Sequence, residues 1–354
     1  MANDRIRVLI VEDTLTGQGL LKGILAQDSR FEVIATAVNG TQAVEFVAKF
    51  HPDVVSMDIY MPVMDGVVAT RHIMQRNPVP IVIVSSFYTQ DEIKMSFKIL
   101  EAGALTILPK PFGPGHPQHY QTAKHYRNTL KMMSGIKVKN LAALPAISPK
   151  PDPVTSSGRA VAGSTVTEFK IIAIGASAGG PLAIQEILSN LPDHLPVPLL
   201  IVQHIDGNFA EGFSEWLNTA SNLPVHIGVD GEIMRTGHVY LAPGDCHLGV
   251  QSEGVISITK DPAEKNLRPA VSYLFRRIAA VYGKKAVCIL LSGMGTDGAM
   301  ELKALREKGA FTIAQNAQTS LVHGMPGEAI KLGAACLVLT PSEIVIEIRK
   351  ILTI

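Results

Sequence analysis

Residues 170–190 read KIIAIGASAGGPLAIQEILSN, and the fold turns on them. After Lys170, IIAIG is a short, β-branched, apolar run closed by small residues, whereas LAIQEILSNL spaces its apolar side chains at helical period. A strand apolar on both faces that passes through a tight turn into a helix is the opening of a parallel crossover unit. Such a sheet is covered by helices on both sides. Downstream the alternation repeats through PLLIVQHI, PVHIGV, HVYLAP, VISITK, AVCILLS, FTIAQN and ACLVL. Helices are predicted over Gly180 to Asn190, Phe209 to Ala220, Pro269 to Tyr282, Gly298 to Lys308 and Ser342 to Leu352. The run from His226 to Lys260 reads as short strands and turns, a small antiparallel β insertion beside the main sheet.

Upstream, Arg7 to Pro111 holds a second set: RVLIVED, FEVIATAV, DVVSMDI, PIVIVSS and LTILPK, separated by helix-like stretches. A further helix is predicted around His119 to Met133. From Leu141 to Thr167 the prolines Pro145, Pro149, Pro151 and Pro153 precede Ser and Gly without apolar periodicity, which marks a linker. The expectation is an α/β protein of two doubly wound parallel-sheet domains, residues 1–135 and 168–354, joined by a linker at 136–167. The first is flavodoxin-like, and the second is a larger Rossmann-like three-layer domain.

With 32 Lys plus Arg against 31 Asp plus Glu, the net charge of +1 offers no basic face for a nucleic-acid backbone. Cys246, Cys288 and Cys336 form neither a CxxC pair nor a disulfide framework, which suits a reducing cytoplasm. No signal segment or membrane span is read, and a cytoplasmic protein, not membrane-embedded, is expected.

In the first domain the polar residues sit where strands end: Glu12 and Asp13 after the first, Asp58 after the third, Ser85 at the fourth, Lys110 after the fifth. Carboxyl ends of parallel strands converge on one crevice. Three carboxylates there repel unless a cation joins them. Mg²⁺ prefers hard oxygens, which makes Asp13 and Asp58 its natural ligands. A carboxylate facing a metal and a lysine can accept a phosphoryl group. Singly, each of these residues is an ordinary solvated loop charge.

Jointly, VEDT, MDIYMPVMDG, IVSS and PKPF resemble two-component receiver domains. The resemblance implies Asp58 as phosphoacceptor and Asp13 and Asp58 as Mg²⁺ ligands with the Tyr60 carbonyl. It further implies that Glu12 helps through water, that Ser85 is the switch hydroxyl and that Lys110 is the phosphate partner. Glu12 stands where Asp is more frequent, and Pro109 directly precedes the lysine.

In the second domain Ser177 stands at a strand-to-helix turn, near helix amides that favour negative charge. The next strand delivers His204 to its carboxyl end, and AVCILLS leads to SGMGTDGA, which offers Asp297 at the same edge. The amides of Ala178 and Met294 are candidate oxyanion donors. From spacing alone other fates stay open: a helix N-cap for Ser177, a core histidine for His204, an N-cap for Asp297. A dinucleotide turn is disfavoured, because Ser177 sits where that fingerprint wants glycine. The scattered histidines His226, His238, His247 and His323 have no metal-ligand spacing.

GASAGG, VQH, VYLAPG, MGTDG and QNAQTSLVHGMP resemble the catalytic domain of chemotaxis protein-glutamate methylesterases, the CheB family, from about Phe169 onward. The resemblance implies Ser177 as nucleophile, His204 as general base and Asp297 as third member, with no cofactor for the ester chemistry. The implied substrates are γ-glutamyl methyl esters of chemotaxis receptors, with glutamine deamidation as a second activity and a histidine kinase as phosphodonor. Ala178, Ile205 and Ser272 depart from the more frequent Thr, Met and Asp. A non-catalytic receptor-binding adaptor is the alternative. A DNA-binding response regulator is discarded, because a second α/β sheet follows the linker.

Overall fold

The computed structural model describes residues 5–86, 97–136, 138 and 169–354. The linker expected at 136–167 lies outside the described residues, apart from 136 and 138. In the N-terminal part the elements are β1 (Ile6–Val11), α1 (Leu15–Ala26), β2 (Phe31–Ala37), α2 (Gly40–Phe50), β3 (Val54–Met57), α3 (Gly66–Arg76), β4 (Ile81–Ser85), α4 (described over 97–101), β5 (Thr106–Pro109) and α5 (His119–Ser134). Every pairing is parallel, in the order β2-β1-β3-β4-β5. That is the flavodoxin-like order, in which ligands lie beyond the carboxyl ends beside the β1/β3 pair. The central strands β3 and β4 are buried along their whole length, with Ser56 and Ser85 their only polar residues, because helices cover both faces. Thr14, Asn39 and Asp65 cap α1, α2 and α3 through their side chains.

The C-terminal part runs β6 (Ile171–Ala176), α6 (Gly180–Asn190), β7 (Leu199–Gln203), α7 (Ala210–Ala220), β8 (Val225–Ile227), β9 (Val239–Leu241), β10 (His247–Ser252), β11 (Val255–Thr259), α8 (Val271–Val281), β12 (Ala286–Leu290), α9 (Ala299–Glu307), β13 (Phe311–Gln315), α10 (Met325–Lys331), β14 (Leu337–Leu339) and α11 (Pro341–Leu352). Its seven-stranded sheet has the order β14-β13-β12-β6-β7-β9-β8. After β6 the chain moves outward through β7, then returns to lay β12 on the other side of β6. This reversal opens a crevice at the carboxyl ends of β12, β6 and β7.

One expectation needs correction. Of the segment read as an antiparallel insertion, β8 and β9 are parallel members of the main sheet, and only β10 and β11 pair antiparallel. Strands of three residues are too short for alternation to report direction. The glycines between them, Gly231 and Gly237 at positive φ, imitate hairpin turns although the chain makes a crossover there.

The two domains meet through side chains. Phe97 of α4 is fully buried and packs on Phe213 and Trp216 of α7, with ring centroids 5.6 and 5.4 Å away. Glu101 accepts hydrogen bonds from Trp216 Nε1 at 3.2 Å and Gln185 Nε2 at 3.3 Å. Ala178 and Val322 are buried in the same apolar cluster as Leu108, Tyr126, Leu130 and Met133 of the N-terminal domain.

Candidate functional site

Register sets the site. Leu290 of β12 pairs with Gly175, and Ala176 pairs with Gln203, so Ser177 and His204 each stand one residue beyond their strands on neighbouring rows. The ladder continues past the strand ends: Ser177 N–H donates to Ser292 O and His204 N–H to Ala176 O, both at 3.0 Å. Gly179 then turns the chain into α6 at φ 74°, a conformation that a β-carbon disfavours.

His204 Nε2 lies 2.9 Å from Asp297 Oδ2, with the two side chains only 10% and 3% exposed. Asp297 also accepts from the N–H groups of Val271 (2.7 Å) and Ser272 (3.1 Å), so it caps α8 from the side. Burial pushes the carboxyl's pKa up. The hydrogen bond and charge of His204, then the contacts with Ser272 and Val271, outweigh burial and bring it down to about 2. Ser177 is half-buried beside this pair. Among the described residues its hydroxyl makes no hydrogen bond, so histidine and aspartate are in contact while the serine stands next to them unbonded. The amides of Ala178 and Met294 likewise donate to no described protein acceptor.

Ser177, Ala178, His204, Met294 and Asp297 line one cleft of about 1250 Å³. Its opposite wall comes from the other domain, β5 with Lys110 directly after it and the face of α5 that carries Thr122, His125 and Met133. The N-terminal domain thus stands across the mouth of the serine site.

The acidic pocket lies at the carboxyl ends of β1, β3, β4 and β5. Asp58 Oδ1 accepts from Ser85 Oγ at 2.6 Å and from Ile59 N–H at 2.7 Å. Lys110 Nζ reaches Asp58 Oδ2 at 2.6 Å and Glu12 Oε2 at 2.7 Å. Burial works to lower the lysine's pKa, but Asp58 and then Glu12 outweigh it, and the net shift is upward. Ligand oxygens of Glu12, Asp13 and Asp58 lie within 4.8 Å of one another, with Glu12 and Asp58 buried and Asp13 exposed. Three converging carboxylates and no nitrogen or sulfur ligand form a donor set that fits Mg²⁺. Tyr60 follows two residues after Asp58 in the loop, 43% exposed. Gly66 starts α3 where any β-carbon would stand 2.3 Å from the Asp58 carbonyl.

Two buried polar residues have no role in the sequence reading. Gln203 Nε2 donates to the carbonyls of Ser177 (2.9 Å) and His204 (3.0 Å). Ser292 Oγ donates to Ala178 O at 2.8 Å and accepts from Val322 N–H at 3.0 Å. The available signal was a polar residue inside or directly after a strand otherwise buried and apolar.

Residues 172–348 match the family model described as CheB methylesterase, and residues 8–119 match the response regulator receiver domain. A protein-glutamate methylesterase/protein-glutamine glutaminase of Geobacter metallireducens is 46% identical over 96% of this chain and 97% of its own length. A protein of the same name from Nitrosospira multiformis is 48% identical over 94% of this chain and 93% of its own. Among solved structures, the CheB methylesterase catalytic domain of Thermotoga maritima is 34% identical, covering 51% of this chain and 98% of that domain with a TM-score of 0.50.

Proposed function

This chain belongs to the CheB methylesterase family, and we propose that it hydrolyses γ-glutamyl methyl esters on chemotaxis receptors by a Ser177–His204–Asp297 mechanism under control of phosphorylation at Asp58. The observation that carries the mechanism is the His204–Asp297 hydrogen bond at the rim where the adjacent strand ends in Ser177. Because Nε2 faces Asp297, Nδ1 is the histidine nitrogen left to take the serine proton. Ser177 Oγ attacks the ester carbonyl, and the oxyanion is met by the amides of Ala178 and Met294. The imidazolium then protonates the departing methoxide, and methanol leaves. Water, deprotonated by His204, cleaves the acyl-serine and restores the hydroxyl. An amide substrate follows the same course with ammonia as leaving group, so glutamine deamidation is the second activity proposed. Asp297 keeps its charge throughout, held low by the contacts described.

In the receiver pocket Asp13, Asp58 and Glu12 would hold Mg²⁺, which when bound offsets phosphoryl charge. Asp58 accepts the phosphoryl group from a histidine kinase. Lys110 then pairs with the phosphate, and Ser85 gives up its present bond to Asp58 and turns toward the new oxygens. With the phosphate absent, the receiver stands over the serine rim and obstructs a protein substrate. Phosphorylation moves the equilibrium toward an open cleft. The receiver wall of the cleft and the buried contacts at Ala178, Phe97 and Glu101 support this reading. The described residues contain no helix long and apolar enough to cross a membrane, and the protein is proposed to act in the cytoplasm on receptor segments there.

The test is methanol release from methylated receptor fragments, with and without acetyl phosphate. Wild type is expected to respond to acetyl phosphate, and Ser177→Ala to lose turnover by several orders of magnitude. Methanol release that survives Ser177→Ala would refute the assignment of the nucleophile, whereas no methanol from wild type, with biological output retained in Ser177→Ala, would favour the adaptor.

A further inference from the structure

The candidate oxyanion donor is one half of a peptide unit. The N–H of Ala178 and the carbonyl of Ser177 belong to the same planar group and, in a trans peptide, point in opposite directions. Whatever holds the carbonyl aims the N–H. That carbonyl accepts two hydrogen bonds from inside the domain, from Gly180 N–H at 2.8 Å and from Gln203 Nε2 at 2.9 Å. The second proton of the same nitrogen goes to the carbonyl of His204 at 3.0 Å.

We propose that Gln203 is the positioning residue of the oxyanion site, fixing the Ser177–Ala178 peptide so that its N–H faces the cleft and tying that peptide to the His204 backbone. The inference rests on the esterase reading above. Three further observations support it. The side chain is 5% exposed, and its Oε1 is buried without a hydrogen-bond partner among the described residues. That acceptor is desolvated without return, so the amide's contribution lies in its two donors. Reversing the amide would set its oxygen against two carbonyl oxygens, so the partners fix its orientation. The amide also fits only because residue 180 is glycine: a β-carbon there would stand 2.5 Å from Gln203 Oε1. Hydrogen bonds received by the carbonyl polarise the peptide and strengthen its N–H as a donor.

The test uses the full chain activated with acetyl phosphate and Mg²⁺, comparing wild type, Gln203→Leu, Gln203→Glu and Ser177→Ala. Both Gln203 variants are expected to lose roughly 10- to 100-fold in kcat, a fraction of what removing an oxyanion donor outright costs. KM should stay within about threefold of wild type, because the ground-state ester barely uses the donor. Labelling of Ser177 by a fluorophosphonate, which passes through the same charge, should slow in parallel. Gln203→Glu carries a distinguishing signature. Its carboxyl faces two carbonyl oxygens and regains a donor only when protonated, so its kcat relative to wild type rises as pH falls from about 8 to about 6. Gln203→Leu stays flat over that range. Full kcat in both Gln203 variants while Ser177→Ala is dead overturns this inference alone, and turnover in Ser177→Ala overturns the esterase reading beneath it. A deficit equal at every pH in both variants, or matched by loss of folded protein in near-ultraviolet circular dichroism, also overturns it, since that is a merely structural role.

Discussion

Replacing Trp216 by alanine separates regulation from chemistry, because the indole touches the receiver and lies outside the serine rim. Two of its contacts cross between domains: the ring stacked on Phe97 at 5.4 Å and 20°, and the Nε1–H bond to Glu101 at 3.2 Å. The stack on Phe213 lies within the catalytic domain and is common to closed and open forms. An aromatic pair contributes about 1 kcal/mol beyond area, and a hydrogen bond to an exposed carboxylate up to about 1 kcal/mol net. Their loss, about 2 kcal/mol, weakens docking roughly thirtyfold. Basal methanol release by Trp216→Ala should therefore rise, up to that factor, until the open form dominates. Turnover in saturating acetyl phosphate should match wild type, which also serves as the control for intact folding. Basal turnover unchanged in a variant with full activated turnover would refute the idea that this contact holds the cleft closed.

Two other outcomes follow from the charged groups. Asp297, brought from about 3.8 when unfolded to about 2 when folded, contributes on the order of 2 kcal/mol. That contribution is complete above about pH 4 and disappears as pH falls through about 2. The stability gap between wild type and Asp297→Asn in urea should close over that window; a gap independent of pH would contradict the paired carboxylate. Lys110→Ala should leave basal turnover intact and abolish the response to acetyl phosphate, as should chelation of Mg²⁺ in wild type. Undiminished activation in Lys110→Ala would remove the lysine from the phosphate site.

The strand-end residues were legible because a parallel sheet allows few arrangements. Its buried strands are almost wholly apolar, so the ionisable or nucleophilic residue that follows each run marks the carboxyl edge: Asp58 after VVSM, Ser177 after IIAIGA, His204 after LLIVQ. Two conditions then bring Ser177, His204 and Asp297 together: β12, β6 and β7 must be neighbours, and one strand register must hold. Sequence supports the first through the preference for right-handed crossovers and does not report the second. The direction of β8 and β9 was illegible for a related reason, since three residues carry too little pattern to separate a parallel partner from an antiparallel one.

What sequence patterns leave out is the layer behind the reacting groups. Asp297 is recognisable as an acid at a strand end, but its capping of α8, some 26 residues earlier in the chain, depends on how the α8 entry folds back over β12. The same holds for Gln203. In a strand its side chain alternates with that of Val202 and enters the protein, where a polar group is costly unless paired. A glutamine at that position signals that something inside needs donors, and only the coordinates show that the acceptors are the carbonyls of Ser177 and His204. Sequence therefore announced the unusual residue, whereas the identity of its partners, and with it the link between nucleophile and base, is a property of two strand ends brought side by side.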